Sequence, residues 1–284
     1  MPKRGLAAAV LLLLWACSAT NNSSDSISDA STVDLGLPET MAQELSIADD
    51  GPPPCPGMGD LTGAAFTVFE LFATAPTDAF NEIWAQYLAD HDLVVIFRVL
   101  SHDVSAGVLK MEVTSAWADK KVGEDGIVEA VKYRFALEPG GLTAQLNGCE
   151  FLVEDEFELD LVVPKINQPF HIYRATGDGW FSDDGTKIEQ LNLSGFLLEG
   201  EAADTCLAIP GLGIANLRWF LNLAGICPDS DVDEDGQVDS YNFLGVVRAE
   251  DKREMFADGL HPIQSEVDEC ITDTGVCTPA PQGD

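Results

Sequence analysis

The sequence predicts a mainly β protein with a few helices (an α+β chain), folded as an antiparallel β-sandwich or partial barrel and stapled by disulfides. Stretches between positions 93 and 198 alternate apolar and polar residues with the two-residue period of a sheet that has one wet face. Glycine-bearing turn sequences separate them. Six cysteines remain once Cys17 is set aside, an even number that in an exported chain reads as three disulfides. With 284 residues and 46% hydrophobic side chains, the chain can bury a real core, which excludes wholesale disorder.

The clearest helix is expected over residues 77–90. Pro76 and Thr77 mark its start, and Phe80, Ile83, Trp84, Tyr87 and Leu88 recur on one face, the spacing of a core-facing stripe. Residues 93–100 form a nearly unbroken apolar run, which predicts a strand buried on both faces. In residues 108–117, Leu109, Met111, Val113, Ser115 and Trp117 share one face, and Lys110, Glu112 and Thr114 share the other. Residues 127–137 repeat the alternation, with Val131, Tyr133, Phe135 and Leu137 opposite Lys132, Arg134 and Ala136. Further extended segments are expected at 142–146, 149–153, 157–163 and 187–198. Their connections include Asn147-Gly148, Gly177-Asp178-Gly179 and Asp183-Asp184-Gly185, which supply the positive φ that tight turns need. Two short helices, over about 199–207 and 214–224, close the domain, the second stopping at Gly225 ahead of Pro228. Cys55, Cys149, Cys206, Cys227, Cys270 and Cys277 allow 15 pairings, among which sequence alone does not choose; the set expected here is Cys55–Cys149, Cys206–Cys227 and Cys270–Cys277. The chain has no Cys-x-x-Cys, so a zinc ribbon has no support.

The N-terminus reads as an address. Lys3 and Arg4 form a basic start, followed by an apolar stretch over residues 6–15. A stretch of about ten residues is too short to span a bilayer, which takes ~20, and fits a secretory signal. It ends in Leu14-Trp15-Ala16-Cys17, which resembles the lipobox of bacterial lipoproteins. The resemblance implies cleavage after residue 16, lipidation of Cys17 and, with Ser18 next, sorting to the outer membrane or cell surface. Residues 17–54 follow without a Lys, an Arg or an aromatic residue and are rich in Ser, Thr and Asp, so they read as a flexible tether. The β-rich extracytoplasmic domain is expected over 55–284. The chain carries 48 acidic against 15 basic residues, a formal charge of −33, which argues against nucleic acid and anionic lipid headgroups as partners and favours cations.

One motif carries chemistry. Residues 229–242 read DSDVDEDGQVDSYN. With Asp231 as position 1, Asp233 stands at 3, Asp235 at 5, Gly236 at 6, Gln237 at 7, Asp239 at 9 and Asn242 at 12. A hard cation takes six to eight oxygens at ~2.3–2.6 Å, and alternate side chains of a tight loop can converge on one point, with glycine at position 6 for the sharp turn. The pattern resembles an EF-hand loop, and still more the loops of dockerin modules and thrombospondin type 3 repeats. The resemblance implies Ca2+ held by Asp231, Asp233, Asp235, Gln237, Asp239 and Asn242, with Gln237 offering its carbonyl oxygen. Asn242 offers one oxygen where the family's Glu offers two, and the helix before the loop is broken at Gly225 and Pro228. A single loop is present where dockerins carry two, so cohesin binding is not implied. The affinity expected is that of extracellular modules, a Kd on the order of 10⁻⁴–10⁻³ M.

Searches for catalysis return little. Gly-x-Ser-x-Gly, His-Glu-x-x-His and phosphate-cradling glycine loops are all missing, and the four histidines stand singly. His171, Tyr173 and Trp180, around the Gly177–Gly179 turn, form a candidate ligand rim. The function expected is a non-catalytic, calcium-binding surface lipoprotein with a ligand-capture, adhesion or scaffolding role toward an extracellular ligand or protein. The alternative is a secreted, calcium-stabilised hydrolase acting on glycans.

Overall fold

The computed structural model describes residues 55–123, 126–163, 168–209, 213–261 and 270, all within one compact unit, Gly51–Pro281. The expected signal peptide and tether, Cys17 and Cys277 lie outside the described residues.

Eight strands close a ring. They are β1 (Ala65–Ala75), β2 (Val95–Asp103), β3 (Val108–Val122), β5 (Gly140–Asn147), β6 (Glu150–Val153), β8 (Phe170–Phe181), β9 (Lys187–Leu198) and β12 (Ser240–Asp251). In spatial order the ring runs β1-β2-β3-β5-β6-β8-β9-β12 and back to β1, with every pair antiparallel. The pair that decides barrel over sandwich is β3 with β5, Val108–Val113 against Gly140–Gln145. β7 (Phe157–Leu161) pairs with the first half of β8, below the short β6. Ser115 of β3 ties it in from the other side: its hydroxyl donates to the Asp160 carbonyl (2.8 Å) and accepts the Val162 N–H (2.9 Å). That explains a serine in an otherwise apolar inward row.

The upper part of β3, from Ala116 onward, leaves the ring to pair with β4 (Val128–Phe135), and β13 (Phe256–Leu260) adds to β4 in parallel. Tyr133 and Phe135 of β4 cover Ala65, Val94, Ile96 and Ala116 on the outside of the barrel. β2 is therefore apolar on both faces, as its sequence predicts: Val95, Phe97 and Val99 face the interior while Val94 and Ile96 sit under β4. Arg98 closes the rim of this second core, ion-paired to Glu112 and Asp258 and lying 5.4 and 5.1 Å from the ring centres of Phe135 and Phe256. Val131 departs from the predicted apolar row. The β3–β4 register slips between Asp119 and Lys120, so Val131 is the bulged residue and is 54% exposed.

The barrel interior is a packed core. A void in it of about 10 Å³, lined by Val68, Val95, Phe97, Leu159, Ile172 and Phe243 among others, holds no more than a water molecule. α1 (Asn81–Ala89) and α3 (Leu217–Leu223) pack on this core through Trp84 and Leu88, and through Leu217 and Leu221. The stripe predicted for residues 77–90 does face the core, with Phe80, Trp84 and Leu88 buried, although residues 78–80 form a single 3₁₀ turn. Asn81 completes the sheet edge like a short extra strand. Its amide donates to the Ala73 carbonyl (2.9 Å) and accepts the Ala73 N–H (2.8 Å).

Several expectations are corrected. Gly177-Asp178-Gly179 is no turn but the middle of the twelve-residue β8. The glycines lie against β9, where a Cβ on Gly179 would sit 2.1 Å from the Gln190 carbonyl oxygen and one on Gly177 2.6 Å from that of Asn192. They are present for close approach, which composition alone cannot distinguish from turning. The expected helix over 199–207 is the shorter α2 (Glu199–Asp204) followed by β10 (Cys206–Ile209), and the one over 214–224 is β11 (Gly213–Asn216) followed by α3. β10 and β11 form a separate hairpin, and Asn216 caps α3 by accepting the Trp219 N–H (2.7 Å). Cys55–Cys149 is bonded as expected. Cys206 bonds Cys270, not Cys227, which overturns both remaining pairs. The partner is set by where the chain returns after β13, information that sequence proximity does not hold. Cys227 is also disulfide-bonded.

Candidate metal centre

The acidic loop is pinned at its base before any ion is considered. Ser230 and Ser240 bridge as an antiparallel pair, exchanging N–H···O bonds of 3.0 and 3.1 Å, and the Ser240 hydroxyl donates to the Ser230 carbonyl (2.8 Å). Ser240 is the first residue of β12, so the loop hangs from a barrel strand. Next to that bridge the base is also tied to α2, whose Glu199 N–H donates to the Asp239 carbonyl (2.8 Å). Arg174 braces the middle. It sits in a bulge of β8 at φ +48°, takes Glu156 in a two-pronged ion pair (2.7 and 2.9 Å), and donates to the Val232 carbonyl (2.9 Å).

Inside the loop, left-handed backbone at Glu234 (φ +60°) and Gly236 (φ +90°) curls the chain. Asp231 accepts the N–H groups of Asp235 (3.2 Å) and Gly236 (2.8 Å), and Asp233 accepts that of Asp235 (3.2 Å). Asp235 accepts both the backbone N–H and the side-chain amide N–H of Gln237 (2.8 Å each). The outcome is convergence: one carboxylate oxygen from each of Asp231, Asp233 and Asp235 lies within 4.8 Å of the others. Asp239 is not one of the three carboxylates that converge; its Oδ1 is shielded from solvent and has no hydrogen-bond partner. Three carboxylates this close repel one another, and a hard divalent cation relieves that repulsion.

Asn242 stands apart from the loop proper. It is the third residue of β12, and its N–H donates to Asp229 Oδ1 (3.0 Å). The sequence singles out the aspartates by spacing, but the clamp formed by Arg174 and Glu156 carries no local signal, because Arg174 lies 58 residues from Val232.

The expected ligand rim does not assemble. His171 and Tyr173 stack, ring centres 4.0 Å apart, on the outer face near the start of β8. Trp180 is seven residues beyond Tyr173 on the same extended strand, roughly 23 Å away at 3.3 Å per residue. His171 Nδ1 is 2.8 Å from Asp160 and Nε2 is 3.7 Å from Glu158, and the Tyr173 hydroxyl bonds Glu201 of α2. The Asp160 hydrogen bond raises the His171 pKa above its ordinary value. Burial, reinforced by Glu201, pushes the Tyr173 hydroxyl well above the usual phenol range.

Comparison with protein-family models, curated proteins and solved structures finds no match to this chain.

Proposed function

We propose that this chain is a calcium-binding, acyl-anchored surface lipoprotein whose β-barrel captures or scaffolds an extracytoplasmic ligand without catalysis. The observation that carries the calcium reading is the convergence of the Asp231, Asp233 and Asp235 carboxylates within 4.8 Å in a loop already pinned at both ends. With the Gln237 carbonyl and the shielded Asp239 oxygen, the loop offers the hard, oxygen-only donor set calcium prefers. The anchor rests on the lipobox-like segment ending at Cys17. The packed interior directs ligand capture to the outer surface, since a void of about 10 Å³ cannot house one.

Calcium titrated against thermal melting is the test. Ligand binding to the folded state stabilises by RT ln(1 + [L]/Kd), about 1.4 kcal/mol at ten times Kd. For a domain of this size that raises the midpoint by roughly 3–6 °C. Asp233→Ala abolishes the rise while leaving the calcium-free midpoint unchanged. Identical, calcium-independent curves for the variant and the parent refute the reading.

A further inference from the structure

Trp180 lies outside the calcium loop, and the sequence marked it without its surroundings. It is 40% exposed, on the outer face of β8, at the edge of an open surface dish of about 530 Å³ lined by Trp180, Phe181, Ser182, Asp183, Asp184 and Glu189. The strand register places carboxylates on both sides of its ring. Glu150 of β6 is its direct cross-strand partner, and in antiparallel sheets such partners have Cβ atoms about 4.5–5.5 Å apart. On the other side Trp180 pairs with Gln190 and Phe181 with Ile188, so Glu189 is the extra residue of a β-bulge, turned out beside the indole. The register of β9 against β12 slips at the same place, between the Val247 and Ala249 pairs.

The dish offers acceptors and an aromatic face, and the hydroxyls of Ser182 and the neighbouring Thr186 are spent on Asp184. The Ser182 hydroxyl donates to Asp184 (2.7 Å) and accepts the Lys187 N–H (3.0 Å). Thr186 gives Asp184 both its N–H (3.0 Å) and its hydroxyl (2.8 Å). These bonds, led by that of the Thr186 backbone, hold the Asp184 pKa down to about 2. Arg248 is engaged with Glu70 (3.0 Å) and the Glu189 carbonyl (3.1 Å). The floor is rigid: the Phe181 N–H donates to the Cys149 carbonyl (2.9 Å), and Cys149 is disulfide-bonded to Cys55. A neutral sugar needs donors as well as acceptors around it. An aromatic face ringed by carboxylates matches a flat cation, which stacks on the ring while its N–H fork reaches the acids. The overall charge of −33 points to a basic partner as well.

We propose that the Trp180 dish is a docking site for an arginine side chain presented by a basic polypeptide segment, the guanidinium stacking on the indole between Glu150 and Glu189. The site is separate from the calcium loop and does not need it.

The test titrates acetyl-tetra-arginine amide into the full chain at physiological ionic strength, read by calorimetry and indole fluorescence. The tetra-lysine peptide and a neutral oligosaccharide, cellotetraose, are the comparisons. Expected are saturable binding of the arginine peptide, weaker binding of the lysine peptide and none of the saccharide. Trp180→Ala weakens the arginine peptide about tenfold. Because a chain this acidic attracts any polycation, the remote variant Glu254→Gln is the control and retains parental affinity. The double variant Glu150→Gln/Glu189→Gln keeps the ring, removes the flanking charges and weakens binding as well, so the outcome does not hang on one substitution. Affinities within about twofold of the parent for both site variants overturn the proposal, and so does Trp180-dependent binding of the saccharide.

Discussion

Alanine at position 179 is expected to be among the costliest single-methyl additions in the barrel. An ideal Cβ there would meet the Gln190 carbonyl oxygen at 2.1 Å, the Leu191 Cα at 2.9 Å and Phe151 Cζ at 3.0 Å. The closest carbon–oxygen approaches between strands are ~3.3–3.6 Å, so the first contact alone is short by about 1.2 Å. Two of the three obstacles are backbone of β9, paired with β8 from Lys187 to Phe196, and cannot rotate away. The third, Phe151, packs on Phe181 with ring centres 4.9 Å apart. Overpacking typically costs ~1–3 kcal/mol, and a clash with backbone belongs at the top of that range or above it. At ~2–4 °C per kcal/mol for a domain of this size, the midpoint falls by roughly 6–12 °C. Gly141 is the internal control. It also lies in a strand, but a Cβ there meets nothing within 4 Å. Gly141→Ala is therefore neutral or stabilising by ~0.4–1 kcal/mol through the unfolded chain. Thermal and denaturant melts of the two variants beside the parent measure the difference. Equal midpoints would show that β8 and β9 do not approach as closely as the register requires, and the close-packing account of Gly177 and Gly179 would fall with them.

Two further outcomes follow from side-chain contacts that only the fold brings together. Asn81→Ala removes both halves of the amide bridge to Ala73, whose backbone is buried, and costs about 1–3 kcal/mol in denaturant melts; Asn81→Asp, which keeps the acceptor and loses the donor, falls between. The His171–Asp160 pair makes stability depend on pH. Because its folded pKa is raised above the ordinary 6.5, protonated His171 contributes stability that is fully present below 6.5 and is lost as pH rises through the raised value. Asp160→Asn flattens that part of the midpoint-versus-pH curve, and an unchanged slope would assign the pH dependence elsewhere.

The legible parts of this chain are those whose signal is local. Alternation in residues 108–117 and 142–146 found strands because a pleated chain has only two faces. The double-sided apolar run of β2 announced burial on both faces before the outer layer of β4 was visible. The spacing of Asp231, Asp233, Asp235 and Gly236 marked a loop whose curl is dictated by backbone conformation within a few residues. β12 went unread because its first residues fall inside the calcium pattern, where loop logic displaced a clean inward row of Tyr241, Phe243, Val247 and Ala249. β8 was broken at its glycines because a glycine for turning and a glycine for close approach look the same without the neighbouring strand.

By itself, then, the sequence determined the β class, the core-facing helix stripe and the identity of the converging aspartates, each fixed by periodicity or short-range backbone geometry. Only the tertiary structure decided that the sheet closes through β3 and β5, that Cys206 meets Cys270, that Arg174 braces a loop 58 residues away, and that Glu150 and Glu189 flank Trp180. Those relations join residues far apart in the chain. Ring closure, strand register and bulge position set them, and these are properties of the packed whole that no stretch of sequence contains.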